Sequence, residues 1–324
     1  MGIIDSLSAG YRLLMQRLEL LLLPLLLDLL LWFAPRLSIE PLLKSLAAFY
    51  ADIFAQLGDT AQSLGPGLAD MPVEVTKALD SAGQSFNLFD LLVNSSLYHV
   101  PSLLVTLPGL KSGQSSWEIA SLWNAGSGAL LLGLVGLFIG VVYMNLLARI
   151  VPLGEGEKSS NPPYFLSSLL RHWLRSIGFL LALFFALLMI YIPAVVAATV
   201  LMLISPALGA GAMMLMGGLM TVVIFYLYFV TVGLVLDNLS VRAAVMGSIV
   251  LVRHNFWPTI GFFLLTSLIS VGVTLLLREV AKFGFVGLAA GAAVNAFIGT
   301  GMALALLIFY RTRLIVTANK VQPK

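Results

Sequence analysis

Cysteine is absent from all 324 residues, and charge is scarce: Asp, Glu, Lys and Arg together make up 10% of the chain. The first absence excludes disulfides, thiolate nucleophiles, iron–sulfur clusters and cysteine zinc sites. The second is incompatible with a surface built for water on all sides, since a soluble domain carries about 25% charged residues. The three histidines, His99, His172 and His254, nowhere take the i, i+4 spacing of a metal-binding helix. Also missing are GxxxxGK[ST], GxSxG, HExxH and the paired acidic motifs of glycosyl and phosphoryl transferases. The stretch GEGEKSSNPPY has glycines but lacks the strand-to-helix setting of a phosphate loop. These gaps argue against catalysis, so a non-enzymatic protein without a cofactor or metal is expected. A net charge of +3, dispersed along the chain, gives no basis for nucleic-acid binding.

What is present is apolar side chain, 60% of the residues. It is arranged in stretches long enough for the roughly 30 Å hydrocarbon slab at about 1.5 Å per residue. They predict an all-α integral membrane protein with six transmembrane helices, at about Leu18–Ala34, Gly126–Ile150, Ser176–Leu203, Gly211–Leu236, Pro258–Leu277 and Gly284–Tyr310. The short connections SPALGAG and REVAKFG make neighbouring helices antiparallel hairpins. Three parts follow: an interfacial helix and first span over 1–35, an extracytoplasmic helical insertion or cap over 36–125, and five further spans over 126–324. The last part includes a cytoplasmic loop at 151–175 and a tail at 311–324. Arg12 and Arg17 before an apolar run resemble a secretory signal, but the run is long and Asp28 interrupts it, so a retained span is expected.

Lys and Arg orient the bundle. Twelve fall on the side of the N-terminus and six on the other, which by the positive-inside bias places both termini in the cytoplasm. The insertion is acidic, with eight Asp or Glu against four Lys or Arg. Its apolar stretch NLFDLLVNSSLYHVPSLLVTLPGL is too interrupted to span and is expected to lie over the bundle as a membrane-facing cap.

A repeated unit stands where the chain enters each hairpin: SLSAGYRLLMQRLELLLLP, SSLLRHWLRSIGFLLALFF and GSIVLVRHNFWPTIGFFLL. Ile4, Leu7, Tyr11, Leu14 and Leu18 share one helical stripe, and Leu166, Leu169, Leu170, Trp173 and Ile177 share another. Three cytoplasmic interfacial amphipathic helices are therefore expected, one before each hairpin. Asp5, Asn161 and Asn238 are candidate N-caps. Arg12, Arg17, Arg171, His172, Arg175, Arg253 and His254 are the candidate contacts to lipid headgroups.

Three polar residues fall inside spans. Asp28 would be costly in hydrocarbon unless it is paired, protonated or hydrated. It is the residue on which transport of a small or amphiphilic solute through a central cavity would depend. Asn295 sits in a stripe of small residues, Gly287, Gly291, Asn295, Gly299 and Ala303, that suits close helix packing. Asn145 stands near Arg149 at the inner end of span two. Arg149, Asp237, Arg242 and His254 form the one cluster from which a lipid-modifying enzyme would have to be built. The expected partners are membrane lipids and, through Gly-rich helix faces, other membrane subunits or a second copy of the chain.

The pattern SxxLxRHxxW before an Ile-Gly-Phe span, with Asp237-Asn238-Leu-Ser closing span four, resembles uncharacterised bacterial multi-pass proteins. These are similar to the membrane domain of glycerophosphodiester phosphodiesterases. The resemblance covers residues 160–312 and implies a bacterial plasma-membrane architecture; it carries over no catalytic residue. The function expected is that of a scaffold, accessory subunit or lipid-organising component.

Overall fold

The computed structural model describes residues 2–63, 66–94, 97–107, 115–151 and 165–321. Among them are twelve α-helices: α1 Ile3–Gln16, α2 Leu22–Phe33, α3 Glu40–Ser63, α4 Pro66–Ser85, α5 Leu103–Thr106, α6 Leu122–Ala148, α7 Phe165–Ile204, α8 Pro206–Tyr226, α9 Val230–Leu236, α10 Val241–His254, α11 Phe256–Val280 and α12 Gly284–Val321. Two short strands, β1 Arg36–Ser38 and β2 Ser116–Glu118, pair in parallel and clip together the two ends of the insertion.

Four helical stretches are long and apolar enough to cross a membrane: Leu122–Ala148, Leu166–Met202, Ala207–Leu236 and Phe256–Ala318. The last is two helices, because α11 and α12 fold back on each other through a 3-10 turn at Ala281–Phe283. Gly284 closes that turn at φ 73°, a conformation open to glycine at little cost, which allows so short a reversal. Stacking of Phe262 on Phe309, 4.5 Å between ring centres, holds the pair antiparallel. In the third stretch α8 breaks at Leu227–Phe229 before α9 resumes. Ser248 of α10 repairs the break, accepting from the Phe229 N–H at 3.1 Å and donating to the Tyr226 carbonyl at 2.7 Å.

The fold is organised around α12, whose 38 residues extend about 57 Å at 1.5 Å per residue. Thr300, Leu304, Ala305, Leu307 and Phe309 are completely enclosed on it. Helix α1, expected on the membrane surface, instead packs lengthwise against α12. Gly10 meets the α12 backbone so closely that a Cβ there would lie 2.7 Å from the Ala305 nitrogen and 2.8 Å from the Gly301 oxygen. The Tyr11 ring covers Gly301, and its hydroxyl donates to the Ile298 carbonyl at 3.2 Å. Further along, Trp32 of α2 meets Phe285 edge-on at 6.4 Å. From Gly10 to Trp32, then, the α12 partners fall from Ala305 to Phe285, about 30 Å of helix axis.

The expected Leu18–Ala34 helix is present over Leu18–Phe33, as a 3-10 turn at Leu18–Leu21 running directly into the 12-residue α2; the two pieces reach about 26 Å. The face of α1 that meets α12 combines Leu7 and Leu14 of the expected stripe with the small residues Ser6 and Gly10. Ser6 and Gly10 are buried, while Ile4 is 75% and Leu18 55% exposed.

Two of the three expected lead-in helices are separate elements, α1 ending at Gln16 ahead of the 3-10 turn and α10 ending at His254. Helix α10 turns into α11 at Asn255, whereas α7 runs unbroken from Phe165 through its apolar stretch, since nothing between Arg175 and Ser176 interrupts it. The cap of α1 is Gly2, with Asp5 accepting from its N–H at 2.7 Å. The cap of α10 is Ser240, not Asn238. Asn161 and the GEGEKSSNPPY stretch lie outside the described residues.

The insertion divides in two. Helices α3 and α4 pack on each other as a pair. Residues 87–94 and 97–107 do not lie over the bundle as a cap; they are threaded into it. The Leu91 carbonyl presses on Gly136, the middle of α6, and Pro101 on Gly299 of α12. The Tyr98 hydroxyl shares a hydrogen bond of 2.8 Å with Ser176 of α7. Val93, Val100 and Leu103 have no exposed surface. Irregular backbone at such depth is tolerated where protein, and not lipid, surrounds it.

Candidate functional site

Two knots of buried polar groups frame the interior. The first joins two of the three intramembrane residues singled out above. Asp28, 5% exposed, accepts from the Ser102 hydroxyl and from the backbone N–H groups of Leu103 at 3.1 Å and Leu104 at 3.4 Å. Asn295 approaches the same turn from α12, its amide oxygen accepting from Leu103 N–H at 3.1 Å and Ser102 N–H at 3.3 Å. Between them they satisfy the orphan donors at the start of α5, which no helix supplies internally. Asp28 is thus committed to holding the threaded segment in place.

The second knot lies at the Arg-rich end. Asn145 of α6, its amide anchored to the Val141 carbonyl at 2.8 Å, faces His172 Nδ1 at 2.9 Å. His172 Nε2 faces the Asn238 side-chain oxygen at 3.3 Å. Arg175 donates to that same oxygen at 2.6 Å and to the carbonyls of Asn238 and Leu239 at 2.7 and 3.0 Å. Asn238 takes a left-handed φ of 50°, which asparagine tolerates better than most residues. Beside it Asp237 accepts from the Tyr310 hydroxyl at 2.7 Å and pairs with Arg311 at 3.1 Å. Four elements, α6, α7, the α9–α10 turn and α12, are tied at this point. Tyr143, donating to Thr300 at 3.0 Å, adds a tie between α6 and α12.

Two candidate headgroup contacts are therefore reassigned. His172 is 1% exposed, and Arg175 directs its donors inward. Arg12, Arg17, Arg171, Arg253 and His254 are exposed, with Arg17 paired to Glu19 at 3.3 Å. The four members of the enzyme cluster do not converge. Asp237 is engaged with Tyr310 and Arg311, and His254 stands at the far end of α10 from Arg242, about 18 Å away along the axis.

Between the knots lies a cavity of about 510 Å³, within the range of small-molecule sites. Its floor and roof come from α6, α12 and the threaded residues Leu97–Pro101 and Thr106; its sides come from α7, α8 and α9 on one hand and α11 on the other. Asn295 lines it, but Asp28 does not. No Asp, Glu, Lys or Arg stands among the described lining residues. The walls are apolar, crossed by hydroxyls: Thr266, Ser267, Ser270 and Thr274 on α11, and Tyr228 and Thr231 opposite. The α7–α8 hairpin packs on itself and at its base on α6, α9 and α10, and it meets α11 through Phe225, edge-on to Phe256 at 5.7 Å, with Tyr228 of the following break edge-on to Phe263 at 6.0 Å. The gap between α8 and α11 is the cavity's side mouth, where Ile224 and Phe263 are 55% and 44% exposed.

The sequence reading missed the threaded segment and the hydroxyl rows. The signal for the second was available, since Thr266, Ser270 and Thr274 recur every four residues on one helical face. No signal in the local pattern ties Ser102 to Asp28.

Fold and site together define a class: a helical protein of membrane-crossing dimensions, with irregular backbone threaded into its core and a cavity open to the side. Neither a protein-family model, nor a curated protein, nor a solved structure matches the chain.

Proposed function

We propose that the chain is a non-enzymatic, lipid-organising protein of the bacterial plasma membrane that admits a bilayer amphiphile sideways into its cavity. In this reading it crosses six times, through residues 18–34, α6, α7, α8 with α9, α11 and α12, arranged as three hairpins. Both termini lie in the cytoplasm, as the distribution of Lys and Arg favours. The exposed Arg12, Arg171, Arg253 and His254 then reach the headgroups of the inner leaflet. The resemblance of residues 160–312 to the glycerophosphodiester phosphodiesterase membrane domain fits this reading and supplies an architecture only.

The observation that carries the proposal is the 510 Å³ space left between two helical hairpins beside the ring contacts Phe225–Phe256 and Tyr228–Phe263. In a bilayer the mouth between α8 and α11 faces acyl chains, so the molecules at hand to enter are lipids. The test is to purify the chain in mild detergent and quantify retained lipid by mass spectrometry. At least one lipid per chain, resisting detergent washing that strips an annular shell, is expected. A chain that emerges free of lipid and stays folded would overturn the reading.

Transport of a solute by an Asp28 site is less well supported. The cavity would serve it, but Asp28 faces the α5 turn, and among the described residues no acidic one lines the space.

A further inference from the structure

We propose that this cavity is a binding site for an uncharged lipid bearing hydroxyl or ester groups on an apolar body, of the kind represented by a diacylglycerol or a long-chain alcohol. It discriminates against lipids whose head carries a phosphate or an ammonium. The inference rests on the lateral-cavity reading above and names the ligand class for that site.

The selection follows from what the walls contain. An ionised head drawn into an apolar site must find a counter-charge or pay the full cost of its lost hydration. Among the described residues the cavity provides none, because its polar lining there consists of hydroxyls, the Asn295 amide and the His99 ring. Hydroxyls donate and accept at once, so they match the hydroxyl and ester oxygens of a neutral lipid without any charge. They are also available. The hydroxyls of Tyr228, Thr231, Ser267 and Ser270 have no hydrogen-bond partner among the described residues. Those of Thr266 and Thr274 donate back to the carbonyls of Phe262 and Ser270, at 2.9 and 2.8 Å, and keep their lone pairs free to accept.

The polar groups are also placed to fix an orientation. Ser267 and Ser270 on α11 line the space together with Thr231 and with Tyr228, whose ring lies edge-on to Phe263 of α11 at 6.0 Å. Phe179, Leu183, Met302 and Leu306 supply the apolar remainder. A polar head held between the two hydroxyl rows leaves its chains running out through the gap beside Ile224 and Phe263. The volume accommodates a small neutral head and the first part of the chains, and the remainder stays in the bilayer.

The test uses the full chain in lipid nanodiscs with two photoreactive probes that share the same diazirine-bearing acyl chains, a diacylglycerol and a phosphatidic acid. The diacylglycerol is expected to label residues 224–231 and 263–274 at least roughly tenfold more than the phosphatidic acid. Tyr228→Phe combined with Ser270→Ala removes two hydroxyls with little change of volume and should lower that labelling by roughly tenfold, the effect of one to two lost hydrogen bonds. Leu268→Phe, on the outward face of α11 at 70% exposure, should leave it unchanged. Equal labelling of these segments by both probes overturns the ligand class while the lateral cavity stands. Labelling of outward faces only, by either probe, overturns the cavity reading as well. Undiminished labelling of the double variant also overturns the role given to the hydroxyls.

Discussion

Asp28 offers the sharpest test of the fold. If its carboxylate holds the threaded segment, Asp28→Leu leaves two buried donors without an acceptor, the Ser102 hydroxyl and the Leu104 N–H. The Leu103 N–H keeps Asn295 at 3.1 Å. A stranded buried donor costs about 1–3 kcal/mol, so the substitution should destabilise by about 2–4 kcal/mol, with relaxation of the one-turn α5 absorbing part of the total. Asp28→Asn retains an acceptor and should cost about 1 kcal/mol. Asn295→Leu should cost about 1–2 kcal/mol, chiefly for the Ser102 N–H. Because the Leu103 N–H loses its last acceptor only when both side chains are gone, the double variant should exceed the sum of the singles by about 1 kcal/mol. Thermal unfolding in detergent, followed by tryptophan fluorescence, is the assay, with Asp28→Leu lowering Tm by roughly 5–10 °C. A Tm within a degree of wild type, or strict additivity with Asn295→Leu, would refute the capping role.

Three further outcomes follow from other contacts. Gly301→Val places a methyl-bearing carbon inside the Tyr11 ring, so α1 should detach from α12 and become sensitive to limited proteolysis. Gly133→Val, which meets open space, should not change the digestion pattern. Asn238→Ala removes the acceptor of Arg175 and places alanine at φ 50°; a loss of about 2–3 kcal/mol is expected by thermal melting, and Asn238→Gly should lose less because it relieves the backbone cost alone. In the insertion, the Lys44 hydrogen bond and then its charge hold the Glu40 carboxyl below 4.5, while Glu40 raises Lys44 above 10.5 in the same way. Their contribution is therefore present above pH 4.5 and lost as acid protonates Glu40 through its lowered value; at the other end it is present below pH 10.5 and lost as Lys44 deprotonates. Amide exchange at the start of α3 should show both limits, and Lys44→Met should flatten them.

The long apolar helices were legible because composition and length alone determine them. Gly126–Ile150 became Leu122–Ala148, and Pro258–Leu277 became Phe256–Val280. The face of α1 was legible in part: Leu7 and Leu14 of the expected stripe are buried, while Ser6 and Gly10, which let the helices approach closely, carry no apolar signal. His172 was misassigned for a geometric reason: adjacent helical residues point about 100° apart, so Arg171 and His172 could not both face outward, and it is His172 that turns in. Asp28 and Asn295 were recognisable as polar groups needing partners. Their shared partner is backbone N–H, which has no sequence signature, in a segment 74 residues from Asp28.

The position of the cavity follows from how few ties hold the α7–α8 hairpin. Between helices in a bilayer there is no hydrophobic drive to close a gap, since lipid chains are as apolar as leucine; association depends on small-residue contacts and hydrogen bonds. Among the described residues, the side-chain bonds from α7 to the rest of the fold, His172 to Asn145, Arg175 to Asn238, Trp173 to the Leu134 carbonyl and Ser176 to Tyr98, all fall between Phe165 and Ser176, at its start. Beyond them Phe185, Met189 and Val196 on α7, with Met214 and Leu215 on α8, are exposed. On the other side α11 is tied to α12 by stacked rings at one end and the Gly284 turn at the other. Between α8 with its break and α11 the described contacts are edge-on rings, Phe225 against Phe256 at 5.7 Å and Tyr228 against Phe263 at 6.0 Å, and the Thr266–Ser270–Thr274 row lines the cavity beside them. Closing the gap would take a small or hydrogen-bonding partner on α8 to meet that row, and the α8 residue that lines the space is Ile224.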